Sequence, residues 1–290
     1  MGFDRRLLFG LATSERLERA VKRAPGGEAA VWRGASRYVA GRSRKDALST
    51  AGRLLKAGHG VSVDLFGERV SDPAFADRVC DDYLQLAGAL PPPTDAWLSV
   101  DLSHLALVTD AAGAAVRLAA IARALPVGRR VQVGAEEAAL ADAVLGCVLA
   151  VARLGLADRL GATVQANLMR SPGDVDVLVD AGVHIRLVKG AYVESADAHP
   201  YGEPTDVAFL RLGFRLAEHG GAWAMATHDA RLREALLLAN GTVVVEQLLG
   251  VRPEVLSELH ARAIPTRVYV PYGDDWFRYW LRRLAESRGA

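Results

Sequence analysis

Three consecutive segments decide the fold of this chain: VHIRLV at residues 183–188, PTDVAFLRLGFRLAEH at residues 204–219, and AWAMA at residues 222–226. The first and third are short apolar runs typical of buried strands, and the second is an Ala/Leu-rich stretch of helical length. This order predicts two parallel strands joined by a crossover helix, because the chain must return to the same end of the sheet before the second strand begins.

The same strand–helix unit recurs along the whole chain. The predicted strands are Val61–Leu65, Trp97–Leu102, Arg130–Val133, Ala162–Ala166, Val183–Val188, Ala222–Ala226, Thr242–Val245 and Arg267–Val270. The predicted helices between them are Pro73–Leu90, Ala114–Ala124, Glu136–Leu154, Pro204–His219, Arg231–Ala239 and Pro253–Ala261. Three more helices are predicted before the first strand, at Arg5–Arg23, Glu28–Val39 and Lys45–Ala57.

Eight such units in roughly 230 residues match a closed (β/α)₈ TIM-type barrel, an α/β fold that typically takes ~250 residues. An open doubly wound sheet is the alternative, but no G-x-G-x-x-G motif follows the first strand. We expect one domain overall, in which residues 1–58 form a helical N-terminal extension and residues 59–290 form the barrel.

The composition is that of a soluble protein with a large core, since 51% of the residues are hydrophobic and 24% are charged. The net charge of +1 gives no bulk field that would favour nucleic acid. Cys80 and Cys147 lie far apart in sequence without a C-x-x-C pattern, and are expected to be buried, reduced thiols of a cytoplasmic protein. The longest uncharged run in the middle of the chain, residues 143–152, is shorter than the ~20 residues that span a bilayer. Peripheral contact at the inner face of the membrane is left open.

Carboxylates collect where the predicted strands end, which is where barrel enzymes place their active sites. Asp229 is expected to cap a helix, because an Asp at that position accepts backbone N–H bonds. Glu136 and Glu137 are expected to open a helix, where the helix dipole favours negative charge. Asp64 and Glu68 are expected either to cap or solvate a turn or to take part in catalysis.

Two cations lie three residues apart at the end of the fifth predicted strand, where an apolar interior meets a glycine turn. Arg186 and Lys189 are costly to bury there unless an anionic group pairs with them. A phosphate, a carboxylate or an anionic cofactor ring would compensate that cost. We therefore expect both residues to be functional.

The last helical stretch has two distinct faces. Its packing stripe consists of Phe277, Trp280, Leu281 and Leu284, and its opposite face consists of Tyr279, Arg282, Arg283 and Glu286. The opposite face is either a solvated surface with a helical Arg–Glu pair or a cover over the barrel mouth. In the second case, the arginines would bind a substrate carboxylate, since guanidinium groups bind carboxylates in a bidentate way.

Two segments carry a family resemblance: RLVKGAY at residues 186–192 and YWLRRLAE at residues 279–286. Together they resemble the monofunctional bacterial type of FAD-dependent proline dehydrogenase, and the similarity extends in order over essentially the whole chain. Five supporting segments are DLFGE at 64–68, QANL at 165–168, ATH at 226–228, EQLLG at 246–250 and YVPYG at 269–273.

The resemblance implies a distorted (β/α)₈ barrel that holds FAD across its strand ends. The implied reaction is oxidation of a secondary amine, L-proline or a modified amino acid, to an imine such as 1-pyrroline-5-carboxylate, with hydride passing to the flavin. Arg186 is the implied catalytic residue, beside the isoalloxazine ring. The implied cofactor-binding residues are Ala135, Gln165, Arg186, Lys189, Gly190, Ala191, Thr227 and His228. The implied substrate-binding residues are Asp101, Leu187, Tyr192, Tyr269, Tyr279, Arg282, Arg283 and Glu286.

The resemblance also suggests a membrane quinone as the electron acceptor. It leaves open whether the protein forms an oligomer, and no metal site is expected.

Three positions depart from the family pattern. The family normally has a lysine where Asp101 stands, an aspartate where Gly134 stands and a tyrosine where Asn167 stands. Replacing the lysine by Asp101 changes the local charge by about two units, and a carboxylate there disfavours a substrate carboxylate and favours a cation or a hydrogen-bond donor. We therefore hypothesise that the flavin site is kept while the substrate preference has moved away from unmodified proline.

Two other function classes are considered. One is a barrel lyase in which Lys189 forms a Schiff base with a carbonyl substrate. The other is a FAD-binding pseudoenzyme, or a paralogue acting on a different amine in specialised metabolism, which the departures at Asp101 and Gly134 suggest. A metal hydrolase ranks below both, because the seven histidines show no H-x-H or H-E-x-x-H spacing.

Overall fold

The computed structural model describes residues 27–92, 95–190, 192 and 197–287. Its sheet is a closed barrel of eight parallel strands in chain order, in which the last strand also pairs with the first. The strands are β1 (Gly60–Leu65), β2 (Ala96–Val100), β3 (Val131–Val133), β4 (Leu160–Gln165), β5 (His184–Val188), β6 (Trp223–Ala226), β7 (Val244–Leu248) and β8 (Thr266–Tyr272). The predicted (β/α)₈ barrel is confirmed, and the strand bounds differ from the predicted ones by only a few residues.

The helices alternate with the strands. They are α1 (Gly27–Ala35), α2 (Arg44–Lys56), α3 (Pro73–Ala89), α4 (Ala111–Ala124), α5 (Ala141–Val151), α6 (Ser171–Asp180), α7 (Glu203–His219), α8 (Ala230–Asn240), α9 (Pro253–Ala261) and α10 (Trp276–Ser287). The expected helix at Arg5–Arg23 lies outside the described residues.

Side-chain caps fix several helix starts. Asp72, Asp110 and Asp229 each accept a backbone N–H from the first turn of α3, α4 and α8. Ser43 and Asp46 form a reciprocal capping box at the start of α2. The prediction that Asp229 caps a helix is therefore confirmed.

The main hydrophobic core lies between the outer faces of the strands and the helices that surround them. Val63, Leu98, Val133 and Ile185 belong to this core and have no exposed surface. Cys80 and Cys147 are also buried and unbridged, as predicted. Burial raises the pKa of Cys80 to about 11 and that of Cys147 to about 12, so both remain thiols at neutral pH.

A helix from the N-terminal part of the chain covers the outside of the barrel where the first and last strands pair. Helix α2 packs against β8 and β1, where the last helix of a regular barrel would lie. Helix α10 instead packs against α1 in a second hydrophobic cluster that includes Trp32, Trp276 and Phe277. This arrangement leaves α10 at the carboxyl ends of the strands.

The helical segment between β3 and β4 extends further than predicted and is interrupted at Gly155, which has a φ of +78°. The segment Ala138–Arg159 combines α5 with shorter helical turns on both sides, and by length and composition alone it could cross a membrane. In the fold it connects two adjacent parallel strands and contacts α4 and β4, so it serves as their crossover helix.

Candidate active site

The carboxyl ends of the eight strands form the mouth of the barrel. Among the described cations that were predicted to be functional, Arg186 is the most deeply buried. The Arg186 Nε atom donates to Glu246 Oε2 at 2.5 Å, and Arg186 Nη2 donates to Ser62 Oγ at 3.3 Å. The side chains of Arg186 and Glu246 are only 8% and 3% exposed. Removing either side chain would leave the other one buried without a partner of opposite charge, which is strongly destabilising.

Glu246 also faces a second arginine below Arg186. Arg267 Nε lies 3.8 Å from Glu246 Oε1, and Arg267 Nη2 pairs with Asp95 at 2.5 Å. The Arg267 guanidinium carbon lies 3.4 Å from the centroid of the Trp97 ring. Burial lowers the pKa of Arg267, an effect that Glu246 and Asp95 oppose. A chain of alternating charges therefore runs from the bottom of the barrel to Arg186 at the mouth.

Asp64, at the end of β1, is a buried carboxylate with two tyrosine partners. Tyr83 Oη donates to Asp64 Oδ1 at 2.8 Å, and Tyr269 Oη donates to Asp64 Oδ2 at 2.5 Å. Burial raises the pKa of Asp64 to about 7, although the two tyrosines and Arg186 act in the opposite direction. Of the two roles considered for Asp64, the structure therefore excludes that of a solvated turn residue.

Lys189 follows β5 and lies between two carboxylates. Its Nζ atom is 2.5 Å from Asp206 Oδ1 in the first turn of α7 and 3.4 Å from Asp229 Oδ2, which also caps α8. These ion pairs stabilise the charged ammonium, whereas a Schiff-base lysine must react as a neutral amine. Lys189 is therefore paired with carboxylates on two sides, which disfavours imine formation.

His228, after β6, is a buried imidazole surrounded by arginines. Burial, followed by the positive charges of Arg283, Arg252 and Arg233, lowers its pKa to about 4, so the ring is neutral at physiological pH. His228 Nε2 accepts from the Leu248 N–H at 3.4 Å, which leaves Nδ1 as the protonated nitrogen. Within the described part of the chain, no hydrogen-bond partner faces this Nδ1 atom. His228 Nδ1 is therefore a candidate donor to a bound ligand.

The neighbouring Thr227 is used locally. Its hydroxyl oxygen accepts from the Asp229 N–H at 3.1 Å, which fixes the turn between β6 and α8.

The arc formed by β2, β3 and β4 is organised by backbone and amide contacts. Gln165 Nε2 donates to the Glu136 carbonyl at 2.8 Å, and Tyr192 Oη donates to the Ala135 carbonyl at 3.1 Å. The prediction that Glu136 opens a helix is wrong. The Glu136 side chain is instead buried and accepts the Ser103 N–H at 2.8 Å, which ties the loop after β3 to the loop after β2.

Helix α10 places aromatic rings at the mouth. The Tyr279 ring centroid lies 4.9 Å from that of Phe66 after β1 and 6.1 Å from that of Tyr269 on β8. The Arg283 guanidinium carbon lies 4.9 Å from the Tyr279 ring centroid. The positive charge of Arg283 also contributes to the lowered pKa of His228 after β6. Of the two interpretations of this helix face, the contacts of Tyr279 and Arg283 favour the cover over the mouth, and binding of a substrate carboxylate stays a prediction.

Two close approaches involve glycine at the mouth. A Cβ atom on Gly134 would overlap Asp101 Oδ1, and one on Gly190 would overlap the Asn167 side chain. In both cases the Cβ atom would lie well below 3.0 Å from its neighbour, a distance that real Cβ atoms essentially never show. Gly190 also has φ +147°, a conformation that favours glycine. The three positions that depart from the family pattern are therefore packed against neighbouring strand ends.

The remaining predicted residues are placed as follows. Leu187 is fully buried in the main hydrophobic core and, as the strand neighbour of Arg186, points to the opposite face. The structure thus does not bring it to the surface of the mouth. Ala191 and the side chains of Arg282 and Glu286 lie outside the described residues, so their predicted roles remain predictions.

Three buried residues of the site were not predicted as site residues: Glu246, Tyr83 and Arg267. Glu246 had a recognisable signal, since an acidic residue directly after three valines must be paired if it is buried. Tyr83 lies in the middle of α3 and had none, because its partner Asp64 is distant in sequence.

Comparisons with known proteins point to one family. The proline dehydrogenase family model matches residues 47–290. Proline dehydrogenase from Deinococcus radiodurans is 31% identical over 274 residues, covering 89% of this chain and 87% of that protein. Proline dehydrogenase 1 from Bacillus subtilis is 32% identical over 266 residues, covering 87% and 86% of the two chains.

Solved structures show the same fold. Proline utilization A from Bdellovibrio bacteriovorus, inactivated by N-propargylglycine, superposes with a TM-score of 0.82 at 20% identity over 98% of this chain. A variant of proline utilization A from Bradyrhizobium japonicum gives 0.75 at 24% identity over 94% of this chain. This chain spans only 36% and 33% of the length of those two proteins. With the family model and two relatives of matching length in agreement, the chain belongs to the proline dehydrogenase family.

Proposed function

We propose that the protein is a FAD-dependent dehydrogenase that oxidises L-proline, or a closely related secondary amino acid, to an imine, which for L-proline is 1-pyrroline-5-carboxylate. Family membership supports the reaction class. The observation that carries the proposal to this chain is the buried Arg186–Glu246 pair at the barrel mouth, because it fixes one cation where the family resemblance places the isoalloxazine ring.

The residues present fit this cofactor. His228 Nδ1 and Asn167 Oδ1 are buried polar atoms for which the described residues offer no partner, and Arg186, Lys189 and Arg283 bring positive charge to the same mouth. A dinucleotide with two phosphates requires such groups. Bound FAD would supply the two-electron oxidant, accepting hydride from the carbon next to the substrate nitrogen. The residues proposed to hold it are Ala135, Gln165, Arg186, Lys189, Gly190, Ala191, Thr227 and His228.

Arg186 has the role of a fixed charge. Its pairing with Glu246 keeps the guanidinium immobile in a buried environment, so the charge needs no reorganisation when negative charge develops beside it. Glu246 in turn prevents Arg186 from turning toward solvent or toward the substrate carboxylate.

The substrate would be held from the α10 side. Arg283, together with Arg282, would bind the substrate carboxylate through its guanidinium group. Tyr269, Tyr279 and Phe66 form an aromatic wall that excludes water. A desolvated pocket favours the neutral form of an amine, and only a neutral amine can release hydride readily.

The visible spectrum of the purified protein tests the cofactor, and an anaerobic screen for amines that bleach the spectrum tests the reaction. We expect a yellow protein whose absorbance near the flavin maximum is lost on addition of a secondary amino acid. Colourless protein that takes up no added FAD would refute the proposal. Tightly held FAD that no amine reduces would instead indicate the pseudoenzyme, which the departures at Asp101 and Gly134 favour.

The electron acceptor proposed from the family resemblance is a membrane quinone. Reoxidation of the reduced protein by a soluble quinone under anaerobic conditions would support it, and reoxidation by oxygen alone would not. Cytoplasmic location, an oligomeric state and the division at residue 58 remain predictions, although α2 already packs onto the barrel.

A further inference from the structure

The carboxylate of Asp101 occupies the space in which a side chain on the neighbouring strand would lie. Val100 on β2 pairs with Val133 on β3, and the Gly134 N–H donates to the Val100 carbonyl at 2.9 Å, which sets Asp101 beside Gly134. A Cβ atom on Gly134 would overlap Asp101 Oδ1. Gly134 does not have a positive φ, so its backbone does not require glycine. The missing side chain instead gives the Asp101 carboxylate its position.

Asp101 does not serve as a helix cap, although it stands at a cap position. It precedes the short helical turn Leu102–Leu105, and its side chain makes no capping hydrogen bond there. Asp72, Asp110 and Asp229 occupy equivalent positions before α3, α4 and α8, and all three use their carboxylates as caps. The half-buried Asp101 carboxylate is therefore directed toward Gly134 and not toward its own turn.

Asp101 belongs to an acidic arc of the mouth, which we define as Tyr269, Asp64 and Asp101 on the adjacent strand ends β8, β1 and β2. Both Asp64 and Asp101 raise the pKa of Tyr269 and that of Tyr83, so the two carboxylates act on the same hydroxyl groups. The guanidinium of Arg186, on β5, reaches Ser62 on β1 beside this arc, whereas Lys189, after β5, pairs with Asp206 and Asp229 on another side of the mouth. A substrate with a carboxylate would therefore place that carboxylate away from the acidic arc.

The reacting nitrogen is also a poor partner for Asp101. A carboxylate beside this nitrogen would stabilise its ammonium form, and an ammonium does not release hydride readily. With the substrate carboxylate bound by arginine and the nitrogen held neutral, the part of the substrate left to face Asp101 is the far side of its ring.

We propose that Asp101, with Gly134 giving it room, is a specificity-determining residue that selects secondary amino acids whose ring carries a hydrogen-bond donor. The inference rests on the proposed oxidation of a proline-like substrate. A donor on the ring would form a charge-assisted hydrogen bond with Asp101, which corresponds to about ten- to hundredfold in kcat/KM.

Matched substrates test the proposal. Both epimers of 4-hydroxy-L-proline present a donor, both epimers of 4-fluoro-L-proline have nearly the same shape without one, and L-proline lacks the substituent. We expect at least one hydroxy epimer to reduce the flavin with a kcat/KM about tenfold or more above that of its fluoro counterpart. Binding to protein whose flavin has been reduced with dithionite, measured by calorimetry, should show the same order without turnover.

Variants separate a specificity role from a structural one. Asp101→Asn should remove most of the preference for the hydroxy epimer. Gly134→Ala should displace the carboxylate and do the same, while adding Gly134→Ala to Asp101→Asn should cause little further loss in preference, because the two positions act as one unit. Glu137→Gln is the matched control: this exposed carboxylate near the mouth is paired with Arg69, and its loss should leave the preference unchanged.

The outcomes distinguish the two proposals. If no secondary amino acid reduces bound flavin, the proposed function fails. If hydroxy, fluoro and unsubstituted substrates are oxidised with equal kcat/KM, only the role of Asp101 is refuted. An equal loss for every substrate in Asp101→Asn would mean that Asp101 acts on the reacting nitrogen, and this too would overturn the inference.

Discussion

The Arg186 guanidinium and the Glu246 carboxylate pair at 2.5 Å across an intervening strand, since Arg186 lies on β5 and Glu246 on β7. The strand between them, β6, has Ala224 in register with Arg186 and Ala226 in register with Glu246. Because alanine side chains are small, they leave room for the Arg186 and Glu246 side chains to meet across β6. The small residues of the AWAMA segment thus permit the charge arrangement at the mouth.

Replacing Glu246 by Gln should destabilise the fold strongly, because Arg186 would keep its charge in a buried place without its partner. We expect a loss of about 3–5 kcal/mol in the free energy of unfolding, measured by urea denaturation. The matched control is Asp176→Asn, which removes the partner of Arg215 at the same 2.5 Å distance on the surface. Its effect should be far smaller. Similar losses in both variants would mean that burial does not govern the strength of the Arg186 pair.

The same variant should change the electronic environment of the cofactor. With Glu246 neutral, the positive charge of Arg186 is no longer balanced, and an anionic reduced flavin gains stabilisation. Glu246→Gln should therefore make the reduction potential of bound FAD less negative, as measured by anaerobic dye equilibration. A potential that stays at the wild-type value in a folded, FAD-loaded variant would show that Arg186 does not act on the flavin.

Asp64 should make stability depend on pH in the sense opposite to that of most carboxylates. Its pKa is raised from 3.8 to about 7, so the folded state holds the proton more tightly than the unfolded state. The resulting stabilisation is complete below pH 3.8 and is lost as the pH rises to about 7. Because Asp64→Asn does not titrate, its stability relative to wild type should improve by of the order of 4 kcal/mol between pH 4 and pH 8.

Parallel urea titrations of the two proteins at several pH values measure this difference. Asp110→Asn provides a control of opposite sign, because the Gly113 N–H and Arg117 lower the pKa of Asp110 and its contribution is lost only as the pH falls. Parallel pH profiles for wild type and Asp64→Asn would mean that Asp64 is ionised in the folded protein at all these pH values.

The charge balance around Lys189 predicts how FAD affinity responds to mutation. Asp206 and Asp229 both compete with a phosphate for the Lys189 ammonium. Asp206→Asn should therefore tighten FAD binding, and Lys189→Met should weaken it by about tenfold or more, which corresponds to ~1.4 kcal/mol. Quenching of flavin fluorescence gives both dissociation constants. Unchanged affinity in both variants would remove Lys189 from the cofactor site.

The strands could be predicted from the sequence because each buried strand is a short apolar run between turn residues. Helix α6, which was not predicted, has valine at 175, 177 and 179, an alternation that is typical of strands. It is helical because the crossover between β4 and β5 requires a return path, and Pro172 starts it. Here the topology prevailed over the local pattern.

The site was predicted at the level of which residues are charged, but not of how they pair. Lys189 and Arg186 were expected to be functional because burial of a cation is costly, and both are paired as that cost requires. Their partners come from other elements, at sequence distances that no spacing rule connects. Glu136 was expected to begin a helix, but its side chain accepts the Ser103 N–H instead. The expectation considered only the dipole of the following helix and not the backbone N–H groups of a neighbouring loop, which also need a partner when buried.

Trp32 on α1 should control the position of α10 and hence substrate affinity. Its ring lies 5.0 Å, edge to face, from that of Trp276, and the Arg42 guanidinium stacks 4.9 Å from the Trp32 centroid. Because α10 carries Tyr279 at the mouth, Trp32→Ala should loosen the aromatic wall without touching the substrate. We expect KM for the amino acid to rise roughly tenfold, equivalent to ~1.4 kcal/mol, with a smaller change in kcat.

Limited proteolysis supplies a second measurement, because a loosened α10 should be cleaved faster than the barrel helices. The control is Leu238→Ala, which truncates an apolar side chain that is 88% exposed on α8 and should change neither KM nor the cleavage pattern. If Trp32→Ala left KM unchanged but accelerated cleavage of α10, the helix would not position the substrate, and the carboxylate would have to be bound by the barrel itself. A rise in KM together with faster cleavage identifies α1 and α10 as one unit that completes the pocket, since the strands alone provide no residue of that aromatic cluster other than Tyr269 among those described.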